Sequence, residues 1–205
     1  MEWIGQTGLI DYEMAVSTME SRVQSIRAGI LDEAVWLLEH PPLYTAGTSA
    51  KPQDLINPRF PVYQSGRGGQ YTYHGPGQRV AYIMLDLKKR QSEPDIKKYV
   101  WQLEEWIIKT LQDFSVVGER REGRVGIWVN ENGLEKKIAA VGVRVRHWVT
   151  YHGISINVSP DLSHFNGIIP CGIQEFGVAK LDSFAKNARL EALDSSLKTN
   201  FGRVF

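Results

Sequence analysis

A lone cysteine, Cys171, stands in the run IIPCGIQEFG. Pro170 and Gly172 flank it, a pairing that favours a turn and close backbone approach. A thiolate in such a turn can attack a carbonyl while backbone N–H groups hold the oxyanion. The plain alternative is a small buried hydrophobe. A thiol with an ordinary pKa of about 8.5 needs a partner to lower it. His40, His74, His147, His152 and His164 are the histidine candidates, a lysine is another, and sequence alone does not choose among them. Lys137 is the unusual lysine, because it opens KIAAVGV, a run of small and apolar residues on an expected buried strand. It either snorkels at the strand's edge or is held in a partly apolar site.

The second candidate is SGRGGQYTYHGPGQ, Ser65 to Gln78, with five glycines in fourteen residues. These glycines make either two tight turns around a strand or a surface of bare backbone for a ligand. The run lacks the Gly-Lys-Ser/Thr ending of a phosphate loop and the strand–turn–helix setting of a dinucleotide fingerprint. Arg67 either holds an anionic group or is simply exposed. The histidines show no metal spacing, so neither a metal nor a cofactor is expected.

Helical spacing of Tyr12, Ala15, Met19, Val23, Ile26 and Ile30 predicts a helix over Asp11 to Gly29. A buried strand is predicted at Ala34–His40, ended by Pro41 and Pro42. PVYQS and YTYH read as strands around the Gly-rich turn, and Arg79–Leu87 as a central strand. Ile96, Tyr99, Val100, Leu103, Ile107, Leu111 and Phe114 mark a second helix, with start signals at Ser92 and Pro94 and with Trp101 and Trp106 read as core. Asn132-Gly133 predicts a hairpin between VGIWVN and LEKKIAAVGV, and WVTYHGISINV supplies the next strand. A terminal helix is expected over Leu181 to Lys198. Runs of strands with flanking helices give an α+β fold, with a mixed sheet packed by helices in one domain spanning residues 1–205.

The chain carries 24 basic and 23 acidic residues, a balance that argues against nucleic-acid or membrane partners. A single cysteine, no secretory signal and no long apolar run lead to the expectation of a cytoplasmic protein.

EHPPLYTAG, RGGQYTYHGPGQ, KKIAAVGVRV, HGISINV and IIPCGI occur in this order. Together they resemble the octanoyltransferases of lipoate biosynthesis, over about residue 10 to about residue 185. Cys171 and Lys137 stand 34 residues apart, which suits that family's cysteine–lysine dyad. The resemblance implies the fold of lipoate and biotin protein ligases. It implies transfer of octanoyl from acyl carrier protein to a lysine on lipoyl domains of 2-oxoacid dehydrogenases and on the glycine cleavage H protein.

In this reading Cys171 forms the acyl-thioester and Lys137 is its base. Arg67, Gly68, Gly69, Gln70, Tyr71, Thr72, Tyr73 and His74 match the substrate-binding loop. Ala140, Val141 and Gly142, with Gly153, Ile154 and Ser155, match the other substrate-contacting segments, and His40 matches a histidine of the first motif. Docking of the acidic carrier is expected to use Arg144, Arg146 and Lys51. A monomer is expected. Rival readings are an octanoyl amidotransferase acting between lipoyl proteins, an ATP-dependent lipoate ligase, and a non-catalytic carrier-binding module.

Overall fold

The computed structural model describes residues 1–169, 176–186 and 188–205. Its elements in chain order begin with β1 (Glu2–Leu9), α1 (Tyr12–Arg27), β2 (Ala34–Glu39), β3 (Leu43–Ala46), β4 (Val62–Gln64), β5 (Tyr71–His74) and β6 (Gln78–Met84). They continue with the one-turn α2 (Leu87–Arg90), α3 (Ile96–Gln112), β7 (Ile127–Glu131), β8 (Leu134–Arg146), β9 (Val149–Asn157), β10 (Gly177–Val178) and α4 (Leu190–Phe201).

Among the described residues the large sheet runs β1-β2-β6-β9-β8-β10, with β7 paired to β8. It is mixed: β1 with β2 and β10 with β8 are parallel, and the remaining pairs are antiparallel. Period-two alternation divides its side chains between two layers. Val35 and Leu37 of β2, Ala81 and Ile83 of β6, and Ile154 and Ile156 of β9 face α3 and α4. Ala34, Trp36, Leu38, Val80, Tyr82 and Tyr151 face α1. Helix α1 buries Tyr12, Ala15, Met19, Val23 and Ile26, and the Asp11 carboxylate caps it by accepting from the Met14 N–H. Helix α3 buries Tyr99, Leu103, Trp106, Ile107 and Leu111. The Trp106 indole N–H donates to the Leu197 carbonyl of α4 at 2.8 Å, which satisfies the polar atom of a fully buried ring.

A small sheet, β4-β3-β5, sits beside the large one. The strands expected on either side of the Gly-rich run are present, and they pair with opposite edges of β3, β4 parallel and β5 antiparallel. The run therefore crosses over β3. The second helix starts at the Asp95 cap, whose carboxylate accepts from Lys97 and Lys98, and not at Ser92 or Pro94. Trp101 is on its exposed side, under Arg120 at 4.4 Å, so only Trp106 is core. Residues Leu181–Ser183 form a 3₁₀ turn and the terminal helix begins only at Leu190. The Asn132-Gly133 turn joins β7 to β8 with φ of 55° and 82°, the left-handed pair that a tight hairpin requires. No helix among the described residues is long and apolar enough to cross a membrane.

Candidate active site

Strands β8 and β9 form the floor of a cleft. Their register pairs Ala140 with Ser155 and Gly142 with Gly153, so small residues face each other along one side of the sheet. Gly153 is required there, since a Cβ would stand 2.4 Å from the Ala81 carbonyl oxygen of β6. The space between these walls is about 510 Å³, counting the open solvent at the cleft mouth.

Strict alternation from Ala140 would send Lys137 to the apolar layer. A β-bulge prevents this. Ile127 pairs with Ala139, but Trp128 pairs with Lys137, so Ile138 is an extra residue in β8. Ile138 and Ala139 both enter the layer packed by α3 and α4. Lys137 is thereby turned to the cleft side, where it lines a smaller hollow with Gln78, Asn157, Phe165 and Val178. The hollow shares Thr72, Ala140 and Ser155 with the larger cleft. The Lys137 side chain is 7% exposed, donates to the Val125 carbonyl at 2.8 Å and lies over the Trp128 ring at 4.9 Å. Cys171 lies outside the described residues; Phe165 and Val178, before and after it in the chain, belong to the Lys137 hollow.

The Gly-rich run forms the cleft's other wall. Arg67 is buried rather than exposed, and its guanidinium donates to the carbonyls of Gly68, Gln70 and Thr45 and to the Thr45 hydroxyl. It holds the run in shape from within. Gly47 lets the run lie flat on β3, since a Cβ there would be 2.2 Å from the Gly69 oxygen. The Gly68 N–H reaches the Val143 carbonyl at 2.9 Å and ties the run to β8.

Arg67, Gly69, Gln70, Tyr71, Thr72 and His74 line the cleft together with Ala140, Val141, Gly142, Gly153, Ile154 and Ser155. Tyr73 points the other way, its hydroxyl 2.8 Å from the His164 Nδ1 in a separate aromatic cluster with Tyr44 and Phe165. His40 is fully buried behind the cleft. Its Nδ1–H donates to the Ile10 carbonyl at 2.6 Å, which leaves Nε2 to accept from the Tyr82 hydroxyl at 2.6 Å. His74 donates from Nδ1 to Gln78 Oε1 at 2.6 Å. The Gln78 amide then donates to Asn157 Oδ1, and the Asn157 amide to the Ala179 carbonyl. This chain links the Gly-rich run to the strand end beside Lys137. Burial, reinforced by His40, holds His74 down at about 3, and burial with Arg67 and Arg144 nearby holds His152 at about 3. Both rings are neutral near pH 7. Burial lowers His40 in the same way.

Spacing in the sequence does not reveal Tyr12, Tyr82 or His152 as cleft residues. His152 should point into the apolar layer beside Ile154, but its φ of 57° turns the ring into the cleft, against Tyr82 at 5.8 Å and stacked on Tyr151 at 5.2 Å. A left-handed conformation at a non-glycine residue costs about 1–2 kcal/mol. Among the described residues no cluster of three metal-ligating side chains occurs. Arg144, Arg146 and Lys51 are all exposed; Arg144 also packs against Gly66 and lies 3.7 Å from Glu20.

Residues 11–202 match the lipoyl protein ligase A/B catalytic domain. The chain is 60% identical to an octanoyltransferase of Paramagnetospirillum magneticum, across 100% of this chain and 97% of that protein. It is 55% identical to an octanoyltransferase of Wolbachia pipientis, across 100% and 99%. The chain belongs to the octanoyltransferases of the lipoyl protein ligase A/B family. That makes it an acyltransferase. The fold is shared more widely. A lipoate-protein ligase A bound with ATP superposes with a TM-score of 0.75 at 14% identity, over 100% of this chain and 85% of the other. A biotin protein ligase from Aquifex aeolicus gives 0.57 at 12%, over 99% and 68%.

Proposed function

We infer that this member of the family transfers an octanoyl group from acyl carrier protein to a lysine of a lipoyl domain, through a thioester on Cys171. The observation that carries the reading is the hollow around Lys137, which shares Thr72, Ala140 and Ser155 with the small-residue cleft and is lined by Phe165 and Val178, on either side of Cys171 in the chain. The deprotonated Lys137 amine takes the Cys171 thiol proton. The thiolate attacks the carrier thioester, and the carrier thiol leaves with that proton. The bound acyl group is still a thioester, so amide formation with the incoming lysine needs no ATP. Lys137 accepts the proton that this amine sheds and returns one to the departing Cys171 sulfur.

The cleft floor at Ala140, Gly142 and Gly153 suits a hydrocarbon tail. Burying such a tail is worth about 0.8 kcal/mol per CH₂. The Arg67–His74 run then covers it. The chain acts as a monomer in the cytoplasm, and its acceptors are the lipoyl domains of 2-oxoacid dehydrogenases and the glycine cleavage H protein.

The test is intact mass measurement after mixing with octanoyl-acyl carrier protein. An adduct of octanoyl mass, absent in Cys171→Ala, is expected. No adduct from the carrier, with one formed from an octanoylated lipoyl domain, would replace the donor and make the protein an amidotransferase.

A further inference from the structure

The cleft has two ends. One adjoins the Lys137 hollow, at Thr72, Ala140 and Ser155. At the other, His152 stands opposite Val143 of β8, with Tyr12 and Tyr82 beside it. Ala140 and Val143 are three residues apart, about 10 Å along a strand. An extended eight-carbon chain, with C–C bonds of about 1.5 Å, spans about 9 Å. We propose that the His152 imidazole is the end wall of this cleft and sets the length of acyl chain the enzyme accepts. The inference rests on the acyl-transfer reading above.

Three observations support it. His152 is in a strained left-handed conformation, and its backbone N–H approaches the Met19 sulfur at 3.4 Å. What the conformation achieves is placement of the ring in the cleft. Second, the ring is 97% buried and makes no hydrogen bond among the described residues, so its surroundings do not use its polarity. Third, the Tyr12 hydroxyl, which also lines the cleft, is buried with no well-formed hydrogen bond among the described residues. A tail that pushes past His152 meets polar atoms it cannot pair, which penalises extra methylenes as well as blocking them.

His152→Gly removes the ring and suits the φ of 57°, and His152→Asn shortens it with a residue that tolerates the same conformation. Octanoyl, decanoyl and dodecanoyl carrier thioesters are compared as donors to a lipoyl domain. Each methylene given new apolar space is worth about fourfold, so the decanoyl-to-octanoyl ratio of kcat/KM rises about fifteenfold in His152→Gly. A smaller rise is expected in His152→Asn. A ratio within twofold of wild type in both folded variants overturns the wall while leaving acyl transfer standing. Absence of transfer by the wild-type protein with any chain length overturns both.

Discussion

The two faces of the large sheet use the same strands and serve opposite ends. On one face β2, β6, β9 and β8 present Val35, Ile83, Ile154, Ile156 and Ile138 to α3 and α4, and every large side chain meets another. On the other face α1 packs over β6 and β9 and the facing residues of β2, and beyond it β8 and β9 carry Ala140, Gly142, Gly153 and Ser155. The difference shows where stability and chemistry are kept apart. The packed face tolerates no void. The cleft face is a void by composition, edged with buried neutral histidines and an arginine spent on its own loop. Changes on the cleft face should therefore alter rates, and changes on the packed face should alter melting.

The sharpest break in that comparison is Lys137→Arg. Arginine keeps a positive charge but stays protonated at working pH, so it cannot accept a proton. Acylation of Cys171 slows yet remains detectable, because a nearby cation still favours the thiolate. Transfer to the lipoyl-domain lysine falls by ~10²–10⁴-fold, the usual worth of a general base. Single-turnover acylation followed by a chase with lipoyl domain separates the steps. A folded variant completing both at wild-type rates would remove Lys137 from the chemistry.

On the packed face the matching change is Trp106→Ala. The ring is fully buried, contacts Trp3, Phe201 and Phe205, and donates to Leu197. Truncation is expected to cost about 3–5 kcal/mol, read as a lowered denaturation midpoint in urea. The remaining folded fraction should transfer octanoyl at the wild-type rate per folded molecule. A large loss of specific activity would mean the two faces are not separable.

Local signals made much of this fold legible. The α1 and α3 stripes, the Asn132-Gly133 turn and the apolar β6 and β9 runs can be read directly, because each depends on neighbours in the chain. The weaker readings concern non-local pairing. Strand β1 has exposed, partly polar residues and is a strand because β2 lies beside it. Strand β3 is four residues hidden behind two prolines. The terminal stretch from Leu181 has apolar residues but becomes helical only where α3 offers a surface for Leu193, Leu197 and Phe201. The site divides in the same way. Gly142, Gly153 and Lys137 are visible as residue types out of place on a strand. The bulge at Ile138 that turns Lys137 outward, and the backbone twist that turns His152 inward, leave no mark in composition or period. Each is set by a partner strand far away in sequence.

The mildest test of the two-face comparison uses pH. His74 is enclosed by His40, Arg67, His152 and Gln78, and His152 by Arg67, Arg144, Tyr82 and Tyr151. No carboxylate is among these neighbours, and the Gln78 hydrogen bond to His74 does not offset burial and the nearby cationic groups. Both groups are held at about 3 when folded. In the unfolded chain they take up protons near pH 6.5. Between these values the unfolded state binds more protons, so their contribution to stability is complete above about pH 6.5 and declines as pH falls towards 3. One proton per histidine gives a slope of at most about 1.4 kcal/mol per pH unit each. Urea unfolding of the wild type from pH 7.5 down to pH 5 should show falling stability below pH 6.5. His74→Gln and His152→Asn should each flatten that slope, whatever they do to stability at pH 7.5. An unchanged slope in both variants would mean that these rings are already protonated in the folded protein, and that the cleft face is wetter than its packing implies.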